Sequence, residues 1–201
     1  YENRVQASTS IFNFPEVTDK EKTHYKLYEY PDVINNRLDA ILHPKSIGVS
    51  KSEQQKFDYI NGMLGQTKKV RAWICLYNST NDKSAFLQKA LWKRGNKNEI
   101  VVCIGTDNSR SIHWVKVFGW SKHKLIEVEI RDYVMSQKRL DLIKLGNFMF
   151  DEIQYKWKKT SFKEFKYLAI QPPLWAIVST WIITFILCIG MYIWIYYNDL
   201  N

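Results

Sequence analysis

Residues Leu174 to Tyr197, LWAIVSTWIITFILCIGMYIWIYY, contain no Asp, Glu, Lys, Arg or His. Wound as a helix rising about 1.5 Å per residue, this run is roughly 36 Å long, enough to cross a hydrocarbon core of about 30 Å with modest tilt. Core helices of globular domains seldom run so far without a charge. Trp175 and Trp181 stand near one end and Trp194, Tyr196 and Tyr197 near the other. Such rings form the aromatic belts of a spanning helix, with an apolar body in lipid and a polar edge in water. The stretch reads as a single transmembrane helix at 174–197 with a short tail at 198–201. Whatever precedes it has to fold beside a membrane.

The preceding part, of about 170 residues, is long enough for one domain with a real core. The first residue is Tyr1 rather than Met, which leaves room upstream for a signal peptide, a second span or a further tail. Net charge is +9, from 29 Lys and Arg against 20 Asp and Glu. No Arg-rich tract, zinc-finger spacing or ribonucleoprotein-type aromatic motif accompanies that charge, so nucleic acid is set aside as a partner. A positive surface facing anionic lipid is the simpler account. Lys156, Lys158, Lys159, Lys163 and Lys166 lie just before the span, while the tail carries Asp199 and no side-chain cation. By the positive-inside rule the large domain is cytoplasmic. Cys75 and Cys103 sit in apolar runs, Cys188 lies in the span, and no C-x-x-C occurs, which fits a chain without a disulfide framework. Asn78-Ser79-Thr80 is a formal glycosylation sequon that counts only if the domain is lumenal.

Residues 1–48 read as an N-terminal arm, wrapped on the domain or on a partner. Asp19 to His24 is expected to be a charged, solvated turn, and Val33 to Leu42 a short helix stopped by Pro44. Ser50 with Glu53 fits a capping box opening a helix whose apolar face is Phe57, Ile60 and Leu64 and whose end is Gly65. Val70 to Tyr77 is apolar on both faces, as in an interior strand. Asp82 is expected to cap a helix through Trp92, with Phe86, Leu87, Ala90 and Leu91 buried. A loop from Arg94 to Glu99 then enters a second strand, Ile100 to Ile104, so the economical topology is a parallel βαβ crossover. Ile112 to Trp120 is a third strand. In Leu125 to Val134, Ile126, Val128 and Ile130 alternate with charged residues, which suggests a fourth, edge strand. Lys138 to about Lys158 has the stripe Leu142, Leu145, Met149, Ile153 and Trp157 of an amphipathic helix. The expected fold is an α/β domain over 49–157, a small mixed sheet flanked by helices, then a basic aromatic linker at 158–173 and the single span.

Candidate chemistry is sparse. His24, His43, His113 and His123 form no short-spacing metal motif, and no phosphate-binding glycine loop or nucleophile elbow occurs. If the first two strands are parallel neighbours, Asp82, Asp107 and Asn108 all follow their C-terminal ends, where open α/β sheets place ligands. Oxygen ligands there suit Ca2+ or Mg2+, and a carboxylate-held ion would serve phosphoester hydrolysis. The plainer account makes Asp82 a cap and Asp107 with Asn108 turn formers, leaving a domain without a cofactor. At the linker, Lys158, Lys159, Lys163 and Lys166 suit anionic lipid, and Trp157, Phe162 and Phe165 suit the headgroup level.

The order of elements resembles a family. A helix, the strand VRAWICLY (Val70 to Tyr77), a helix ending in LWKRGNKNE (Leu91 to Glu99), the strand IVVCIG (Ile100 to Gly105), further elements and a C-terminal span look like a TPM domain. That small α/β fold occurs in bacterial membrane-tethered proteins, a plant thylakoid-lumen protein of photosystem II repair and nematode receptor modulators. The likeness covers about Ser50 to Trp157. The alternative resemblance is to uncharacterised bacterial membrane proteins sharing a W-x-x-G-N-K-N-E loop, here Trp92 to Glu99. A TPM resemblance implies an extracytoplasmic domain with an assembly, modulator or phosphatase role. Three functions follow from residues and resemblance together: a non-enzymatic membrane-anchored interaction protein whose partner is a membrane or membrane-associated protein, a metal-dependent phosphoester hydrolase near the membrane, and a structural subunit of a larger membrane complex.

Overall fold

Two strands bury nearly every side chain they carry, and the rest of the domain is laid around them. In the computed structural model, which describes residues 14–31, 39–159 and 174–198, β2 (Arg71–Asn78) and β3 (Glu99–Thr106) run parallel, from Arg71 opposite Glu99 to Asn78 opposite Thr106. All eight residues of β3 are buried. A strand with both faces covered has no use for alternation, so the unbroken apolar runs are what its position demands. β4 (Ile112–Gly119) returns antiparallel beside β3, and β1 (Ile41–Leu42) pairs parallel with Ile74 and Cys75, giving a mixed sheet in the order β1-β2-β3-β4. Where β1 stops, Asn61 continues the edge: its side-chain oxygen accepts from the Ala72 N–H (2.8 Å) and its amide donates to the Ala72 carbonyl (3.0 Å). An open edge that would invite another strand is thereby closed by one side chain.

Asn61 belongs to α2 (Lys51–Thr67), which opens with Ser50 and Glu53 bonded reciprocally as the capping box requires. α2 packs beside α5 (Leu142–Lys156), and Gly146 makes the approach possible. A Cβ there would lie 2.9 Å from Ile60 Cδ1 and 3.3 Å from Phe57 Cδ2. The crossover helix α3 (Lys83–Leu91) sits over the face that carries Trp73 and Tyr77. Gln88, fully buried, accepts from the Tyr77 hydroxyl (2.7 Å) and the Tyr28 N–H (2.9 Å) and donates to the Tyr28 carbonyl (2.9 Å). The Trp92 indole donates to the same carbonyl (2.8 Å), so the arm is fastened across α3 like an extra strand.

Four expectations are corrected. Leu125 to Val134 is not an edge strand but α4 (Leu125–Met135), because the buried set is Ile126, Ile130 and Val134, a spacing of four, while Val128 is exposed. Ile126, Ile130 and Val134 satisfy both periods, and the exposed Val128 and Asp132, which a strand would place on the same face, decide for the helix. Asp19 to His24 is a helix, α1 (Asp19–His24), held by Thr18 and Glu21 in a second capping box. Of the helix expected at Val33 to Leu42, residues 33–38 lie outside those described, and Ile41 and Leu42 are strand. Phe86 is exposed, with the Lys116 ammonium 4.9 Å from its ring centre, and Ser84, Ala85, Leu87, Gln88 and Ala90 form the buried face of α3.

The chain divides into two units, Tyr1–Phe162 and Lys163–Asn201. The second contains α6 (Leu174–Asn198), 25 residues without a charge and without one buried side chain. Its serine and threonine hydroxyls are satisfied within the helix: Ser179 and Thr180 donate to the Ala176 carbonyl (3.1 and 2.8 Å) and Thr184 to that of Thr180 (2.8 Å). That is what hydrocarbon, which offers no partner, requires. Among the described residues α6 is the one helix long and apolar enough to span a bilayer, and it is the membrane anchor.

Candidate functional site

The parallel register gives the sheet two unlike ends. At one end lie the starts of β2 and β3 and the finish of β4, since Arg71 faces Glu99 and Ile100 faces Gly119. Lys68 and Lys69 precede β2, Lys97 precedes β3, and Lys122 follows β4. The departing chain joins them: Ser121 pairs with Lys159, and the Lys122 N–H donates to the Lys158 carbonyl (2.9 Å). The result is a rim of lysines where the chain leaves the domain. Lys69, Lys122, Lys158 and Lys159 are exposed, whereas Lys97 is 8% exposed. Burial, and then the positive charge of Lys159, push the Lys97 ammonium pKa below its ordinary value.

The nearby acids are already engaged. Glu127 is shared by Arg94 (3.4 Å) and Lys124 (3.1 Å), and Lys156 bridges Glu129 (2.9 Å) and Glu152 (2.6 Å). Glu99 is 1% exposed and enclosed by the Tyr30 hydroxyl (2.5 Å), the Asn96 N–H (2.8 Å) and the Asn96 side-chain amide (3.2 Å). The loop from Trp92 to Glu99 is built around that carboxylate. Lys93, Arg94 and Gly95 take left-handed φ of 50°, 68° and 78° in succession, the Trp120 indole donates to the Gly95 carbonyl (2.9 Å), and the Arg94 guanidinium lies 5.1 Å from the Trp120 ring centre. Tyr30, Trp73 and Trp92 stack edge to face beside it, with centroids 5.2 to 5.6 Å apart.

Of the residues expected at a lipid interface, Lys158 and Lys159 are on this rim. Trp157 is corrected: it is 5% exposed and packs in the core as the last member of the α5 stripe. Phe162, Lys163, Phe165 and Lys166 lie outside the described residues.

At the other end, Asp82, Asp107 and Asn108 do follow the C-terminal ends of the parallel strands. Their side chains serve different partners. Asp82 stands at the N-cap position of α3 yet makes no side-chain cap bond, pairing instead with Lys116 (3.3 Å), and Asn81 accepts from the Lys83 N–H (2.9 Å) in its place. Asp107 accepts from the Ser109 hydroxyl (2.6 Å), the Ser109 N–H (2.8 Å) and the Ser111 N–H (2.9 Å), which hold its carboxyl down to about 2. Asn108 accepts from the Asn78 amide (2.8 Å). Among the described residues no three His, Cys, Asp or Glu side chains stand together as metal ligands.

Beside these turns a cleft of about 270 Å³ opens between the arm and the end of β2, lined by His24, Lys26, Tyr28, Asn78, Ser79 and Ser84 among others. Sequence reasoning missed it, since His24 and Ser84 are brought together by tertiary bonds, those of Gln88 and Trp92 to Tyr28 and of the Tyr28 hydroxyl to the Leu76 carbonyl among them. Gly105 shapes the neighbouring wall. Trp114 lies across it and donates to the Ser79 carbonyl (2.9 Å), and a Cβ on Gly105 would fall 2.0 Å from Trp114 Nε1.

No family model and no curated protein matches the chain. Among solved structures, the solution NMR structure of the N-terminal domain of cg2496 protein from Corynebacterium glutamicum is similar, at 12% identity and a TM-score of 0.45, over 67% of this chain and 88% of that one.

Proposed function

We propose that this chain is a single-pass membrane-anchored interaction module without catalysis of its own, which keeps an α/β domain at an anionic bilayer surface and presents it there to a membrane or membrane-associated protein. The observation that carries the reading is the lysine rim at the point where the chain leaves the domain toward the anchor. Each lysine brought near anionic headgroups contributes about 1 kcal/mol, and tethering by the span removes most of the entropic cost of the encounter. The domain is cytoplasmic in this proposal, supported by the lysines before the span and by Cys75 and Cys103, two buried free thiols. The likeness to TPM domains in element order is part of the proposal as a statement of architecture and assigns no chemistry.

Two measurements test it. Protease digestion in sealed native vesicles is expected to spare the domain until its cytoplasmic side is exposed. Digestion from outside overturns the sidedness. The full chain in nanodiscs is expected to show hydrogen-exchange protection at residues 97, 122 and 158–159 with anionic lipid and not with neutral lipid. Equal exchange in both removes the lipid-facing role of the rim, and mass spectrometry of mild-detergent extracts reads for a stoichiometric protein partner.

A further inference from the structure

The cleft at the opposite end of the sheet is equipped for a different ligand. α3 begins at its wall, and the first-turn amides of a helix carry positive partial charge that no intrahelical carbonyl meets. Two of them are dealt with locally, Lys83 N–H by Asn81 (2.9 Å) and Ala85 N–H by the Asp82 carbonyl (3.0 Å). Between them, Ser84 is 2% exposed and lines the cleft, and neither its N–H nor its hydroxyl has a protein partner among the described residues. A hydroxyl and an amide that open on a polar cleft and meet no protein acceptor there are a pair of donors available to a ligand.

The charge around them has one sign. Among the described residues, His24 and Lys26 line the cleft and no carboxylate does. The Lys83 ammonium sits 5.3 Å from the ring centre of Tyr25, another lining residue. The acids nearest in sequence are spent elsewhere: Glu21 in the cap of α1, Glu29 on Lys22 (2.9 Å) and Asp82 on Lys116 (3.3 Å). Such a site repels metal cations and favours an oxygen-bearing anion. We infer that the cleft between α1 and the N-terminus of α3 binds a small oxyanion, a phosphate or carboxylate group, held by Ser84 Oγ and N–H with His24 on the cleft wall, and neutralised by Lys26. This is independent of the lipid-facing rim, which lies at the other end of the strands.

The test uses the full chain in neutral detergent micelles, titrated with sodium phosphate and separately with sodium acetate against sodium chloride at matched ionic strength, following the Ser84 and Lys26 amide resonances. Saturable shifts at both residues are expected, and the anion that saturates first names the ligand class. Lys26→Glu, at an exposed position, is expected to weaken binding about tenfold, and Ser84→Ala by a smaller factor, with unchanged melting temperature. Lys158→Glu with Lys159→Glu is expected to leave the titration unaltered. Linear, unsaturable shifts overturn the inference. So do saturable shifts that respond to the rim double variant and not to Lys26→Glu.

Discussion

The two ends of the sheet are made by the same strands and differ in almost every property. The end where β2 and β3 begin is crowded with lysine, closed over a buried carboxylate, and continuous with the chain that leads to the anchor. The end where those strands finish is indented, rich in Ser and Asn, and roofed by an arm tied down through Gln88. Parallel pairing is the cause. It sends the starts of β2 and β3 to one side and their finishes to the other, so a surface rim and a helix-flanked cleft are separated by the length of β2. In the proposed reading one domain meets lipid at one end and a small oxyanion at the other, and the two do not compete.

The largest effect is expected where the cleft end is tightest. Gly105→Val places carbon against the Trp114 ring and the Ser79 carbonyl, backbone and a large side chain that have nowhere to retreat. A loss of about 3 kcal/mol is expected, read as a lower melting temperature, together with loss of the cleft. A neutral result would mean that Trp114 is free to swing away and that the wall is not rigid. Next comes Glu99→Ala at the rim end, which leaves the Tyr30 hydroxyl and Asn96 amides without their acceptor in a buried place. About 2 kcal/mol is expected from that desolvated remainder. If chemical denaturation shows no change, the loop from Trp92 to Glu99 is held by its tryptophans alone.

How much of this was legible depended on whether the signal was local. The Ser50 capping box, the continuous apolar runs of β2 and β3 and the uncharged length of α6 each lie within one segment, and each was readable. Thr18 and Glu21 carry the same capping signature as Ser50 and Glu53, so α1 was readable too, but without an apolar stripe behind the box it passed for a turn. α4 failed because Ile126, Ile130 and Val134 fit two periods. β1 is two residues long and exists only because Ile74 and Cys75 lie beside it. The rim was half visible, as lysines before the span, but the joining of Lys97 to Lys159 is a product of strand register. The cleft was invisible, since Lys26 and Ser84 are distant in sequence and meet through a glutamine and a tryptophan that look like ordinary core residues.

A third prediction concerns the pair that braces the domain from the side. Arg110 bonds Glu53 (2.6 Å) and also donates to the Gly48 carbonyl, and its guanidinium holds the Glu53 carboxyl at about 2 instead of the ordinary 4.5. The group is depressed in the folded state, so its contribution is complete above pH 4.5 and is lost as pH falls from there toward about 2. Glu53→Gln is expected to lower stability by about 1 kcal/mol at neutral pH and to flatten the acid limb of the melting profile. An acid limb unchanged by the substitution would place the pH dependence on other carboxylates.

The smallest stability effect is expected where the functional effect is largest. Lys158 and Lys159 are exposed, and what ties them to the domain is backbone: the Lys158 carbonyl accepts from Lys122, and Lys159 pairs with Ser121. Replacing both by Glu keeps those bonds and is expected to move the melting temperature by no more than about 0.5 kcal/mol allows. Removing the Lys159 charge also takes one cation from beside Lys97, so any small change should be toward greater stability. In nanodiscs containing anionic lipid the same double variant is expected to lose the protection of residues 97 and 122, and raising the salt should abolish it in the unaltered chain. If protection survives both treatments, the rim is covered by protein and not by lipid, and the division of labour between the two ends of the sheet has to be drawn differently.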